Sequence, residues 1–202
     1  GARLGAGGAQ RPAGADVMSA RAAPPKPGPR ARRIGEMLRV DHAGEYGAVQ
    51  IYRGQLAVFR ALPHKRDVAA LIEEMEAGEK AHLETFDRLL AERGGRPTAL
   101  APLWDAAGFA LGAATALMGE KAAMACTSAV EEVIEQHYGA QATELDGVDP
   151  AIAETVAAFR EDERSHKHTA DARGAQAAPG FALLRTLIGA GCRAAIRLSE
   201  KI

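Results

Sequence analysis

The chain has 202 residues and a net charge of −1, with 47% apolar and only 4% aromatic residues. That is enough for one domain with a core of its own. It gives no field to gather nucleic acid and no basic-plus-aromatic pattern to bind it. Abundant alanine and leucine favour helices over sheets. The two cysteines, Cys126 and Cys192, form no C-x-x-C, which excludes a zinc ribbon or a rubredoxin-type iron site. Both sit in apolar sequence, as small buried residues of a reducing compartment do.

Residues 1–30 are rich in Gly, Ala, Pro and Arg, with Asp16 the sole acid. Such a segment cannot bury enough apolar surface to order, so it is expected to be a disordered tail ahead of a domain spanning residues 31–202. A 3.6-residue period sets in at about Arg32. A first helix is expected to run to about Ala61, before Pro63, and a second from Arg66 to Arg93, stopped by Gly94-Gly95. A third, roughly 120–145, closes at Asp146-Gly147. Asp149-Pro150 then opens a fourth as N-cap and first-turn proline, running to about Arg173. No stretch alternates as a strand would, so the fold class is all-α.

Two further segments carry apolar surface. Between the second and third helices, Thr98 to Gly119 is almost charge-free, with Leu100, Leu103, Trp104, Ala107, Leu111 and Met118 along one stripe and Phe109, Ala113, Ala116 and Leu117 opposite. It approaches the roughly 20 residues of a membrane span, but Asp105 and its glycines argue against one. A last helix, about 181–199, sets Phe181, Leu184, Leu187, Ile188 and Leu198 beside Arg185, Arg193, Arg197 and Lys201, as helices lying on anionic membranes do. Together the two segments point to association with a membrane surface.

The chemistry lies in a repeat. Glu79 and His82 form one Glu-x-x-His and Glu163 and His166 a second, while Glu45 and Glu131 precede them by 34 and 32 residues. On a helix i and i+3 share a face, so a carboxylate and an imidazole reach one metal. Two such helices, plus two that each give one Glu, are the ligand recipe of a ferritin-like four-helix bundle holding two irons or two manganese ions. Here the bundle is two two-helix repeats, with an extra apolar crossover helix and a C-terminal amphipathic helix. Four carboxylates nearly neutralise two divalent ions, which lowers the cost of burying them. The mixed oxygen and nitrogen set is wrong for closed tetrahedral zinc and suits iron for oxygen chemistry. Tyr52 and Tyr138 echo the repeat at i+7 from Glu45 and Glu131. Asp41 and Glu135 are candidates to orient the imidazoles, Glu132 reads as a surface residue, and His42 as a satisfied buried histidine. His137 is rotated away from the Glu131 face.

With the ligands placed, the surrounding sequence becomes recognisable. Arg39-Val40-Asp41-His42-Ala43-Gly44-Glu45-Tyr46-Gly47-Ala48, Met124-Ala125-Cys126-Thr127 before Val130-Glu131-Glu132, Ala190-Gly191-Cys192-Arg193, Pro102-Leu103-Trp104 and Gly108-Phe109-Ala110-Leu111-Gly112 resemble the demethoxyubiquinone hydroxylase family over about residues 33–202. The resemblance implies a di-iron monooxygenase, an oxidoreductase that hydroxylates the ring of a polyprenylated methoxy-methyl-benzoquinol (demethoxyubiquinol) with O2 during ubiquinone biosynthesis. It implies two Fe ions per subunit on the six residues chosen by spacing, and places His137 near the site, as an outer or electron-transfer residue. No flavin or nicotinamide fingerprint is present, so the reductant is external; the resemblance implies NADH or the quinol itself. The resemblance further implies peripheral attachment to the bacterial inner membrane's cytoplasmic face, or to the mitochondrial inner membrane's matrix side, with a lipid-binding partner protein. The sequence is compatible with a homo-oligomer. The rival reading is a ferritin-like ferroxidase or manganese catalase without organic substrate, which would need neither apolar segment.

Overall fold

The structure, a computed structural model, describes Gly1 and residues 28–202, so the expected tail lies almost wholly outside the described residues. Six α-helices follow in order: α1 Pro29–Phe59, α2 Arg66–Glu92, α3 Ala101–Leu117, α4 Glu120–Leu145, α5 Pro150–Ala172 and α6 Phe181–Lys201. Among the described residues there is no strand. The first helix starts at Pro29, with proline in its first turn, slightly earlier than the periodicity indicated. The stops fall where expected: Gly94 and Gly147 take left-handed φ values of 64° and 67° that a side chain would disfavour. Asp149 caps α5 by accepting from the Ile152 amide at 3.3 Å, and its other oxygen lies 2.7 Å from Arg93 at the end of α2.

The bundle is made of two hairpins, α1 with α2 and α4 with α5. Cross-contacts fix their relative direction. Residues 41 and 45 of α1 meet 137, 141 and 138 of α4, while residues 52 and 55 meet 131 and 127, so α1 and α4 are antiparallel. Glu79 lies by His166 and His82 by Glu163, so α2 and α5 are antiparallel too. It follows that α2 ends at the opposite end of the bundle from where α4 must begin. The link has to traverse the bundle, and α3, at about 1.5 Å per residue, covers some 25 Å of it.

That crossover rests on α1 through its smallest residues. The large stripe residues Leu103 and Met118 are exposed, and the buried face of α3 is instead Gly108, Gly112, Thr115 and Ala116. A Cβ on Gly112 would stand 1.9 Å from the Ile51 carbonyl oxygen, and one on Gly54 would stand 2.2 Å from that of Phe109. Backbone therefore lies directly on backbone, which only glycine permits. α6 runs alongside α4, held by Arg185 to Glu132 at 2.5–2.6 Å, and its C-terminal end is tied to α1 by Arg33 to Glu200 at 2.5 Å. Glu132 is thus a half-buried helix-pairing residue rather than free surface.

Two apolar clusters fill the interior. One includes Leu56, Phe59, Ile72, Met75 and Met124; the other includes Leu38, Phe86, Leu90, Leu145, Ile152 and Val156. Tyr52 belongs to the first and Tyr138 to the second. Between them lies a belt of charged and polar side chains that an ordinary helix bundle would not bury.

Candidate metal centre

All six ligands expected from the repeat converge on that belt. Glu45, Glu79, Glu131 and Glu163 are 0–1% exposed and His82 is 4% exposed; His166 is half-buried. Burying four carboxylates without a counter-charge is prohibitive, so their environment is informative. The side chains form two overlapping sets, Glu45–Glu79–His82–Glu163 and Glu79–Glu131–Glu163–His166, each offering ligand atoms within 4.8 Å of one another. Glu79 and Glu163 belong to both sets, whereas each set has its own Glu and its own His. Such a set of oxygen and nitrogen donors could hold metal ions, with Glu79 and Glu163 common to both groups.

The imidazoles aim Nδ1 inward. His82 Nδ1 lies 3.1 Å from Glu163 and 3.7 Å from both Glu45 and Glu79; His166 Nδ1 lies 2.9 Å from Glu79 and 3.3 Å from Glu163. These approaches lack hydrogen-bond direction. Both Nδ1 atoms, both oxygens of Glu79 and of Glu163, and Oε2 of Glu45 and of Glu131 are buried without a hydrogen-bond partner. Eight orphaned donor atoms facing one small volume fit a pair of cations better than any protein–protein bonding scheme.

Titration behaviour follows from the same crowding. Burial, reinforced by the neighbouring carboxylates Glu163 and Glu79, pushes Glu45 and Glu131 well above the carboxylate range. Burial also pushes Glu79 up, but the His166 and His82 rings outweigh it and hold Glu79 down at about 2. Burial would lower both imidazoles, yet the carboxylates around them win, raising His166 to about 11 and His82 further still. Without cations, protons on these groups balance the site's charge.

The surrounding residues hold the carboxylates in a crossed pattern. Tyr52 donates to Glu131 at 2.8 Å, and Tyr138 donates to Glu45. Asp41 is buried, and its two oxygens accept from His137 at 3.1 Å and from Gln141 at 2.6 Å; burial pushes its carboxyl up. His137 therefore contacts Asp41, not the ligand cluster. Glu135 pairs with Arg164 at 3.2 Å and Arg160 at 3.8 Å, and so does not orient an imidazole as anticipated. His42 bonds Asp87 at 3.0 Å through Nε2 but leaves its buried Nδ1 without a partner.

Three residues escaped the sequence reading. Asp162, next to Glu163, meets His82 Nε2 at 3.1 Å. Gln55 and Gln141 sit ten residues after Glu45 and Glu131, one in each repeat. Gln55 donates across to the Ala123 carbonyl at 3.2 Å and to Thr127 at 3.4 Å, as Gln141 does to Asp41. Carrying the i+7 echo one turn further would have found both.

Beside the centre lies an apolar cavity of about 390 Å³ walled by α1, α3, α4 and α6. Gly44 and Val130, chain neighbours of Glu45 and Glu131, are among its lining residues, with Ile51, Ile134, Trp104 and Cys192. Leu187, also lining it, is 61% exposed, so the cavity reaches the surface between α3 and α6. Burial pushes the Cys192 thiol up to about 11 and that of Cys126 to about 12.

Fold and site define a ferritin-like helical bundle with a buried Glu/His centre suited to two metal ions. The chain belongs to the family of ubiquinone biosynthesis protein COQ7, which it matches over residues 32–199. It is 49% identical over 179 residues to the 3-demethoxyubiquinol 3-hydroxylase of Rhodospirillum rubrum, covering 89% of this chain and 82% of that protein. It is 46% identical over 172 residues to the mouse NADPH-dependent 3-demethoxyubiquinone 3-hydroxylase, mitochondrial, covering 83% and 77%. The yeast 5-demethoxyubiquinone hydroxylase, mitochondrial, is 38% identical over 185 residues, covering 84% and 78%. Among the described residues no helix is long and apolar enough to cross a membrane.

Proposed function

We propose that this protein is a di-iron monooxygenase that hydroxylates the ring of demethoxyubiquinol in ubiquinone biosynthesis. The observation that carries the reading is the paired buried Glu/His centre, with an apolar cavity lined by the chain neighbours of Glu45 and Glu131, in a chain whose relatives bear that activity in their names. Glu45, Glu79, His82 and Glu163 would hold one ion and Glu79, Glu131, Glu163 and His166 the other. A bound iron pair supplies the reduction of O2 and the transfer of one of its atoms to the ring.

The protein's own groups do the rest. Tyr52 and Tyr138 each fix one oxygen of an unshared carboxylate, leaving the other, Oε2, free for metal. The cavity walls give a ring no polar partner beyond Trp104, Cys192 and Ser199, so they bind by shape and exclude water. Trp104 Nε1 donates to Ser199 at 3.0 Å across this region, joining α3 to α6.

Insertion of one oxygen atom into the ring, with the other leaving as water, consumes two electrons and two protons. The reductant comes from outside the chain. NADPH is the donor in the names of several relatives, beside the NADH or quinol expected from the sequence. Exposed Leu103, Phe109, Leu183, Leu187 and Leu198 surround the cavity's walls on α3 and α6, and Arg193 and Arg197 are exposed beside them. That surface supports docking on an anionic membrane, from which an insoluble prenyl tail enters; a lipid-binding partner would use the same face.

The test is anaerobic loading with Fe(II), then exposure to labelled O2 with a short-chain demethoxyquinol, following product by mass spectrometry. Product with one labelled oxygen, lost in Glu163→Ala, supports the monooxygenase. Iron oxidation without product would favour the ferroxidase alternative.

A further inference from the structure

The two halves of the centre share a ligand recipe but not their surroundings, and the difference is concentrated on the imidazoles. His82 is held on two sides. Its Nε2 meets the Asp162 carboxylate at 3.1 Å, and its face stacks on Phe159 with ring centroids 3.9 Å apart. His166 has neither support. Among the described residues its carboxylate contacts are all through Nδ1, on the side of the ligands. At the position matching Asp162 in the first repeat stands Gly78, which offers the His166 ring no side chain; a Cβ there would already be in van der Waals contact, at 3.4 Å from Cε1 and 3.5 Å from Nε2. The His82 side chain is 5% exposed and that of His166 16%.

A carboxylate on the far nitrogen of a ligating histidine fixes the ring's orientation and tautomer and raises its basicity, and removing such a partner typically costs about 10–100-fold in metal affinity. Stacking restricts the ring's rotation away from the ligand position. A ring without either restraint, and the more exposed of the two, is the one that swings out to let an ion exchange with solvent. Glu79 and Glu163 are common to both positions and cannot distinguish them; the tyrosines are matched, one to each unshared Glu. Asp162 and Phe159 are not matched in the other half.

We infer that the two metal positions are unequal: the Glu45/His82 position retains its ion, the Glu131/His166 position exchanges, and Asp162 is the positioning residue that makes the difference. This rests on the two-metal reading of the site proposed above.

The experiment is chelator-driven release. Protein loaded anaerobically with two equivalents of Fe(II) is mixed with excess ferrous chelator, and the coloured complex is followed in time, without O2 or substrate. The expected result is two phases of equal amplitude, the slow one at least about tenfold slower than the fast. Asp162→Ala should bring the slow phase toward the fast, Asp162→Asn should lie between, and Asp162→Glu should restore the separation. Asp162's side chain is 60% exposed, so these variants are expected to fold, with helix content checked by circular dichroism. Release of both ions in one phase, or two phases that ignore residue 162, overturns the inference while leaving the di-metal reading standing. Uptake of fewer than two irons per chain overturns both.

Discussion

Tyr52 donates its hydroxyl to Glu131 at 2.8 Å although its own repeat supplies Glu45. Tyr138, seven residues after Glu131, returns the bond to Glu45. The exchange follows from antiparallel packing. Residues at i and i+7 lie on one helix face about 10 Å apart, so in an antiparallel pair of equal repeats each i+7 residue stands opposite the partner's i. Both tyrosines are fully buried, and burial beside the carboxylates pushes their hydroxyls well above the usual range, so they stay donors.

Removing one hydroxyl therefore acts on the opposite repeat. Tyr52→Phe keeps the ring's packing but leaves Glu131 Oε1 without its donor. Apparent metal affinity is expected to fall by about 10-fold or somewhat more, with helix content unchanged. Isothermal titration with Mn(II) or anaerobic Fe(II) reads this directly. An unchanged affinity would mean that the tyrosine only fills space.

The metal-free protein should become less stable as pH rises. Glu45, Glu131, His82 and His166 all have folded values above their unfolded ones, so the fold holds protons that the unfolded chain releases. Their stabilisation is present below the unfolded values, near 4.5 for the carboxyls and 6.5 for the imidazoles, and is lost upward from there, for His166 through about 11. Glu79 works oppositely, but only between about 2 and 4.5, outside the neutral range. Each retained proton is worth about 1.4 kcal/mol per pH unit. Urea midpoints at pH 6 and pH 9 should therefore fall without metal. They should hold or rise with it, since metal replaces those protons. A rise in the metal-free protein would contradict the assignment of protons to this cluster.

Much of this centre was legible from sequence because its chemistry is helical and local: i, i+3 for each Glu-x-x-His, i+7 for each tyrosine, and a repeat that brings the halves together. What spacing could not show was partnership across helices. Asp162 looked like one more acid in a charged helix, and nothing in a single chain says that His82 Nε2 lies 3.1 Å from it. Glu135, one turn from Glu131, seemed equally placed to serve the site but faces two arginines of α5. The crossover was legible in part. Its glycines and Asp105 argued against a membrane span, and among the described residues no helix is long and apolar enough for one; that the glycines also make contact with α1 is something the periodicity of large residues does not reveal.

That contact makes a sharp pair of stability predictions. Gly112→Ala would put a methyl 1.9 Å from the Ile51 carbonyl oxygen, and the backbones must part to admit it. A loss of about 2–3 kcal/mol or more is expected, seen as a lower urea midpoint at unchanged slope. Gly35→Ala, in α1 rather than α3 and with nothing within 4 Å of the added atom, should instead gain about 0.5–1 kcal/mol. Equal effects at the two positions would show that α3 does not sit on α1 this way.

Narrowing the cavity separates substrate access from the metal centre. Gly191 lines it from α6, and a Cβ there meets nothing within 4 Å, so Gly191→Phe places a ring in or over the space without displacing backbone. The ligands lie on other helices, so iron content and the two-phase release should match the parent protein. Hydroxylation of a demethoxyquinol should fall about tenfold or more, mostly as a rise in KM, because what is lost is room to bind rather than the reacting centre. If turnover is unaffected while the ring is shown to fill the cavity, the substrate reaches the centre by another route. If iron content falls as well, α6 supports the centre more directly than its position outside the four ligand helices implies.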